Sequence, residues 1–405
     1  MTAATQFDLA RLFKRCLHLG SDVSVIERAI TELRSLPIDD VCDHFDHCET
    51  QLAPLLFWHA RRKGLGGRFG DRLSGELERR YQRNVARNSV LQRNLERIIA
   101  RVSGMGIRVL VLKGACVFTK DLAVFRNAFV LSDIDLLVLP ADFRETRRIL
   151  LAEGYSLVHN QAMNGRQKQG FVGTDGVTRI DLHSALFWTS AGEYLDYGPS
   201  NLWKGSLRRC LGRYPVYVLS PTDQICHRLV HDTLGHGDSV LPSSTCRLYY
   251  FCALVDYYRD RIDWRAVLHS LERNGADRLL IAYLNYGNRE LGLAIPRAVE
   301  SICRRERGDL AMLDAVLAST PRLTDYAHRT SVVLLTSDTV RARVHNLYRS
   351  FTRHWLLAKG AEQEYRGAAR HFTLFVKVLC LQLAAVLYMG AYGIRHSIRE
   401  TRAHV

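Results

Sequence analysis

The stretch Ser132-Asp133-Ile134-Asp135-Leu136-Leu137-Val138 (SDIDLLV) is the most informative part of this chain. Its apolar residues predict a short buried strand, and residues two apart on a strand point to the same face. We therefore expect Asp133 and Asp135 to project side by side. Two buried like charges are costly unless a cation neutralises them. Because carboxylate oxygens suit Mg²⁺ or Mn²⁺, the stretch predicts a metal site.

A third carboxylate, Asp181, lies in a separate strand-like run, Arg179-Ile180-Asp181-Leu182-His183. If the two strands are neighbours, three carboxylates meet at one point, as in two-metal phosphoryl transfer. Lys113-Gly114 ends another apolar run 19 residues before Ser132. Glycine there would let backbone amides approach a phosphate at a helix N-terminus. The alternative is a capped turn with an unrelated aspartate.

Strand and helix signals alternate around these motifs, which predicts an α+β fold with a small mixed-sheet core. An Asp-Gly turn signal joins the last two runs into a hairpin. The predicted strands are 107–112, 134–139, 155–158, Gln169–Gly173 and Val177–Leu182, and the predicted helices between them are 115–122 and 141–153.

Helical periodicity flanks this core on both sides and predicts three regions. We expect an N-terminal helical region at 1–100, the core at 101–195 and a C-terminal helical region at 196–405. A long charged helix begins at Glu76. Its arginine-rich face is more typical of a solvated surface than of a nucleic-acid-binding arm.

The composition excludes several classes of protein. With 405 residues, 47% of them hydrophobic and 24% charged, the chain can bury a core and is neither disordered throughout nor a disulfide-stapled miniprotein. Lys plus Arg number 56 against 41 for Asp plus Glu, a net charge of +15, and only eight of the 56 are Lys. That balance permits polyanionic partners. An arginine-rich protein from a high-GC genome without such a partner is the alternative. Ten cysteines without a CxxC pair favour reduced thiols and a cytoplasmic location.

One apolar segment, 372–394, is long enough to span a bilayer and has flanking arginines. Lys377 and Gln382 would face hydrocarbon in such a span, which favours a C-terminal core helix. Peripheral membrane contact through this segment is the second interpretation.

Four motifs together resemble the uncharacterised nucleotidyltransferase family of the DNA polymerase β-like superfamily. They are LVLKGACVF (110–118), SDIDLLV (132–138), the Leu-x-x-x-Gly-Tyr of 150–155 and IDLHSALFW (180–188). Similar residues continue at 219–223, His231, 263–264 and 290–296, so the resemblance covers about residues 85–300.

The resemblance implies roles for individual residues. Asp133, Asp135 and Asp181 would be catalytic and hold the metal, with Asp181 helping to activate the acceptor. Five further positions are candidates for nucleotide binding: Lys113, Gly114, Arg126, Ser132 and His183. Lys113 and His183 could instead orient Asp181. Two positions depart from the family. Phe129 stands where an arginine is frequent, which leaves only the nearby Arg126, and the third acid is often Glu.

The predicted function is metal-dependent transfer of an NMP from an NTP to a hydroxyl or phosphate acceptor, with release of pyrophosphate. The expected cofactor is Mg²⁺ or Mn²⁺, with the NTP, ATP included, as co-substrate. The resemblance also implies, by association, work in polysaccharide or specialised-metabolite biosynthesis. Alternatives are a phosphotransferase-like variant and a catalytically silent nucleotide-binding or membrane-associated module. Nucleic acid is not an expected partner, because no recognition motif or aromatic stacking pattern occurs.

Overall fold

Seven strands form one mixed sheet in the computed structural model of the chain. They are β1 Leu110–Leu112, β2 Ile134–Leu137, β3 Ser156–Met163, β4 Arg166–Val172, β5 Arg179–His183, β6 Leu207–Leu211 and β7 Tyr214–Val218. Their order across the sheet is β3-β4-β5-β2-β1-β7-β6. The structure describes residues 3–47, 50–163, 166–186, 199–232, 245–272 and 277–305. The sheet and the helices around it confirm the predicted α+β class.

The strand pairing at the centre of the sheet brings the predicted acidic strands together. β2 runs parallel to β5, with Asp135 beside Asp181, and antiparallel to β1, with Asp135 beside Leu112. Every residue of β1 and β2 is buried, because both strands lie in the middle of the sheet. The acids are therefore placed on interior strands, where unpaired charge is costly.

The predicted hairpin is confirmed as β4 and β5, which pair antiparallel. Asp175 Oδ1 accepts hydrogen bonds from the backbone amides of Val177 and Thr178, at 2.9 and 2.8 Å, and Gly176 adopts the left-handed conformation with φ +67°. These are the local bonds by which Asp and Gly initiate a tight turn. The turn fixes the register between β4 and β5.

Two features differ from the sequence-based expectation. The helix predicted at 115–122 is instead a pair of short 3₁₀ helices, Lys113–Phe118 and Lys120–Phe125. They are separated by Thr119, which is extended and donates its hydroxyl to the Cys116 carbonyl at 2.7 Å. The sheet also continues through β6 and β7, inside the range 196–405 for which the sequence pattern predicts a helical region, and β7 pairs parallel with β1.

Twelve α-helices flank the sheet within the described residues. They are α1 Ala3–Cys16, α2 Val23–Arg34, α3 Ile38–His47, α4 Leu52–Arg62, α5 Asp71–Gly104, α6 Phe143–Ala152, α7 Pro199–Gly205, α8 Pro221–Val230, α9 Thr245–Tyr258, α10 Trp264–Glu272, α11 Asp277–Leu291 and α12 Arg297–Arg305. Pro221 at the first position of α8 follows a Ser220 cap that accepts from the Asp223 amide, as the sequence indicates.

The chain divides into two compact units. The first comprises Met1–Phe187, Tyr194–His231 and Pro242–Arg305 and contains the whole sheet. The second comprises Trp188–Glu193, Asp232–Leu241 and Glu306–Val405 and, apart from Asp232, lies outside the described residues. The predicted divisions at 100 and 195 stay predictions.

Among the helices of the described residues, none combines the length and the apolar character needed to cross a bilayer. The apolar segment 372–394 lies outside the described residues.

Candidate active site

Asp135 lies at the centre of the candidate site, on β2, with only 2% of its surface exposed. Its Oδ1 accepts a hydrogen bond from Lys113 Nζ at 2.7 Å and lies 3.1 Å from His183 Nε2. Lys113 directly follows β1 and His183 ends β5, so both neighbours of β2 contribute a partner. The buried carboxylate is thus neutralised by one ammonium group and hydrogen-bonded to one imidazole.

Burial alone would raise the pKa of Asp135, but the Lys113 ammonium and the His183 hydrogen bond outweigh it and hold the pKa well below its usual range. Burial lowers the pKa of His183 and Asp135 only partly opposes that shift. His183 is therefore neutral at pH 7. Because a carboxylate only accepts hydrogen bonds, the His183 tautomer must carry its hydrogen on Nε2.

Asp181 faces the same side of the sheet as Asp135, since residues paired directly across two strands share a face. Asp181 Oδ2 lies 2.7 Å from Lys168 Nζ of β4, and the Lys168 side chain is 29% exposed. Burial would lower the pKa of Lys168, but the charge of Asp181 outweighs it and the net pKa is raised. Ligand atoms of Asp135, Asp181 and His183 all lie within 4.8 Å of one another, which is close enough to hold one metal ion.

Asp133 precedes β2 and is half-buried at the outer end of the same face. Its Oδ1 accepts a hydrogen bond from Ser132 Oγ at 2.8 Å. Burial raises the pKa of Asp133 and the charge of Asp135 raises it further, whereas Lys113 opposes both. Repulsion between neighbouring carboxylates therefore acts most clearly on Asp133, as the spacing of Asp133 and Asp135 in the sequence predicts.

The loop before β2 is held in place by one face of α5. Asn84 and Asn88 both donate to the Phe129 carbonyl, at 3.1 and 2.9 Å, and Arg87 donates to the Leu131 carbonyl. These three side chains are spaced i, i+3 and i+4, so they share a helix face. Asn84 and Asn88 are buried, and α5 thereby fixes where the aspartates begin.

Backbone geometry at Lys113-Gly114 brings this turn close to the same loop. Lys113 has a φ of +50°, and it alone among the described non-glycine residues has positive φ. A Cβ on Gly114 would lie 2.5 Å from Leu131 Cδ2, which real contacts do not allow. Gly114 therefore packs closely against the loop before β2, where a larger residue would have to displace the Leu131 side chain, and its role in nucleotide binding stays a prediction.

Phe129, the residue at the position where an arginine is frequent, lies in a buried aromatic cluster. Its ring centroid is 4.5 Å from that of Tyr250 and 6.0 Å from that of Phe125. The Arg126 carbonyl accepts a hydrogen bond from Asn88 Nδ2 at 2.8 Å, and Arg126 is not among the residues that line the cleft beside the acids. The nucleotide-binding role predicted for Arg126 stays a prediction.

A cleft of about 570 Å³ opens over the outer part of the acidic face. Asp133 and Asp181 line it together with Ser132, Arg87 and Arg179. The buried His227 of α8 interacts electrostatically with Lys113 and Asp135, and burial lowers its pKa to about 3. Asp133 and Asp181 therefore border an open cleft whose lining includes two cationic side chains.

The family described as uncharacterised nucleotidyltransferase matches residues 48–292, more than half of the chain. The chain belongs to this family. No match to a curated protein was found. A solved structure, that of an antigenic nucleotidyltransferase-like protein from Paracoccidioides brasiliensis, is similar at 11% identity over 48% of this chain and 91% of that one, with a TM-score of 0.28.

Three residues of the site in this nucleotidyltransferase family member were missed by sequence reasoning. Lys168 could have been found, because continuing the hairpin register from the Asp-Gly turn pairs it with His183. Arg179 stood in the quoted run beside Asp181 and alternates onto the same face. Arg87 carried no signal, since the arginine-rich face of α5 resembles a solvated surface.

Proposed function

We propose that the protein transfers an NMP from an NTP to an acceptor and releases pyrophosphate. One observation carries the proposal: Asp135 and Asp181 lie side by side on parallel strands, with Asp133 two residues before Asp135 on the same face. Family membership supports a transferase of nucleotides. Such a group of buried acids is expensive to maintain and is what metal-assisted phosphoryl chemistry needs.

The donor set fits a hard divalent cation such as Mg²⁺ or Mn²⁺. Carboxylate oxygens of Asp133, Asp135 and Asp181 would hold it, and the neutral His183 would keep the Asp135 carboxylate oriented through its Nε2 hydrogen. When bound, the ion would offset the negative charge of the triphosphate and of the departing pyrophosphate. Lys113 and Lys168 neutralise Asp135 and Asp181 in this structure. A bound divalent cation would neutralise the same two carboxylates in their place.

The reaction balances with the groups of this chain. An acceptor oxygen attacks the α-phosphorus, a new O–P bond forms, and the bond from the α-phosphorus to the α,β-bridging oxygen breaks. Pyrophosphate leaves with the bonding electron pair. If the acceptor is a hydroxyl, its proton passes to Asp181, whose position beside the open cleft suits a base. Lys113 supplies positive charge to the phosphates once it no longer pairs with Asp135.

A labelling experiment separates this reaction from its alternatives. The full chain is incubated with Mg²⁺ and with ATP labelled at the α- or the γ-phosphate, together with fractionated cell metabolites and proteins, and the products are resolved by thin-layer chromatography. We expect the α-label in the acceptor and the γ-label in pyrophosphate. Transfer of the γ-label would establish the phosphotransferase variant, and metal-dependent ATP binding without transfer from any of the four NTPs would establish a silent binding module.

Several finer statements belong to the same proposal. We propose ATP as a donor and a cytoplasmic location. We also propose peripheral membrane contact through 372–394, whose flanking arginines would contact anionic headgroups. The three-region division of the chain is proposed on the sequence pattern alone.

A further inference from the structure

Two arginines stand over the outer end of the acidic face. In the parallel pairing of β2 and β5, Ile134 lies beside Ile180. Extending that register by one residue places Arg179 beside Asp133. Arg87 reaches the same place from α5, and both arginines line the cleft that contains Asp133 and Asp181.

The two guanidinium groups lie within electrostatic reach of each other. Burial lowers the pKa of the half-buried Arg87, the charge of Asp133 raises it, and the charge of Arg179 lowers it again. Arg87 Nη1 also donates to the Leu131 carbonyl, so this hydrogen bond holds the guanidinium group itself at the cleft. Bringing two like charges together in a partly desolvated cleft is unfavourable unless an anion lies between them.

Asp133 cannot serve as that anion once a metal ion is bound to it. In the loaded site Asp133 would be a ligand of the cation and would no longer balance the charge of the two arginines in the cleft. A planar guanidinium fork matches the oxygens of a phosphate or a carboxylate. The cleft is therefore suited to an anionic group of a substrate.

The order of strands in the sheet indicates which substrate carries the anionic group. Lys113-Gly114 follows β1 and lies on one side of β2, whereas Arg179 and the cleft lie on the opposite side, with β5 and β4. A nucleotide whose phosphates lie at Lys113 leaves the β5 side, with Asp181, to the acceptor. We propose that the acceptor carries a phosphate or carboxylate group and that Arg87 and Arg179 bind this group. The inference rests on the proposed function, because it assumes that the nucleotide occupies the Lys113 side.

The test measures nucleotide binding and anion binding separately. The full chain is saturated with Mg²⁺ and the non-transferable α,β-methylene ATP, and inorganic phosphate or acetate is then titrated by calorimetry. We expect phosphate, acetate or both to bind, and Arg87→Gln and Arg179→Gln each to weaken that binding about tenfold or more. The affinity for the ATP analogue should change less than about twofold.

Two further variants keep the result interpretable. Arg93→Gln, an exposed arginine on α5 away from the cleft, is the matched control and should leave both affinities unchanged. Arg87 also holds the Leu131 carbonyl, so Arg87→Gln is the variant that could fold poorly. In that case Arg179→Gln is the decisive variant, because Arg179 is exposed. Arg87→Lys keeps the charge without the fork and should recover part of the affinity.

The outcomes are distinguishable. If the ATP analogue binds and neither anion does, or if both bind and the arginine variants bind the anions as tightly as the unmodified protein, the inference is overturned and the proposed function stands. If the arginine variants lose the ATP analogue instead, the arginines belong to the nucleotide and the inference is again overturned. Failure of the unmodified protein to bind the analogue with Mg²⁺ would contradict the proposed function itself.

Discussion

Replacing Lys113 by Met should expose how strongly the buried carboxylate of Asp135 depends on its partner. The Asp135 side chain is 2% exposed and that of Lys113 15%, and their charged atoms are 2.7 Å apart. Removing one partner of a buried ion pair costs about 3–5 kcal/mol, because the other charge stays buried. His183 still contacts Asp135, so we expect the lower end, about 3 kcal/mol. That loss corresponds to a fall in Tm of roughly 5–10 °C.

The pH dependence of this effect has a definite sign. In the unmodified protein the pKa of Asp135 lies below its unfolded value of about 3.9, so its contribution is present above that pH and is lost as the pH falls through the folded pKa. Burial is the largest single influence on this pKa, and without Lys113 it is opposed mainly by His183, so the folded pKa rises. The carboxyl then stabilises the variant only at low pH and loses that contribution as the pH rises. The Tm difference should therefore be largest near pH 7 and should narrow as the pH falls toward 4.

The assay is differential scanning calorimetry in EDTA at pH 4 to 7.5, with the unmodified protein, Lys113→Met, Asp135→Asn and the double variant. Asp135→Asn removes the buried charge, so the double variant should recover most of the stability that Lys113→Met loses. A Tm for Lys113→Met within about 1 °C of the unmodified protein at pH 7, or a double variant no more stable than Lys113→Met, would refute the reasoning.

Three further changes have expected outcomes. Lys168→Met breaks a partly exposed pair with Asp181 and should cost no more than about 1 kcal/mol by urea denaturation; a loss as large as that of the buried pair would contradict the assigned exposure. Phe129→Arg places a charge among buried rings and should lower the free energy of unfolding by about 3 kcal/mol or more, against about 1 kcal/mol for the control Phe129→Leu. Equal urea midpoints for the two variants would show that the position tolerates the arginine frequent in the family. Gly114→Ala should cost about 1–3 kcal/mol through overlap with Leu131, and adding Leu131→Ala should cost less than it does alone; simple additivity would show that the two residues do not clash.

Much of the fold was readable because its decisive strands carry local signals. The apolar run around Asp135 and the Asp-Gly turn before β5 each specify structure over a few residues, and the structure confirms both. The strands β6 and β7 were missed although Gly212, with φ +56°, begins a two-residue hairpin loop of the kind that glycine favours. Pro215 and the arginines of β6 weaken the strand signal there.

The sequence predicts the residues of the site only where the alternation of side chains along one strand identifies those that share a face. Alternation along β2 and β5 is local, so the acids could be named in advance. The partners of those acids depend on which strands become neighbours and in which register, which a single sequence does not specify. Lys113 reaches Asp135 through the β1–β2 pairing, and Arg87 reaches the cleft from a helix about 45 residues before the aspartates. The roles of the named residues stay predictions until they are tested.

Metal-dependent pyrophosphate release by variants of the central acid tests the account most directly. With the acceptor fraction identified by labelling, release is measured for the unmodified protein, Asp135→Asn and the exposed control Asp260→Asn. We predict that Asp135→Asn lowers the rate by a factor on the order of 100 or more while retaining the unmodified circular-dichroism spectrum, and that Asp260→Asn leaves the rate unchanged. Pyrophosphate release by Asp135→Asn at the unmodified rate, or an unmodified rate that is the same in EDTA as in Mg²⁺, would contradict the account.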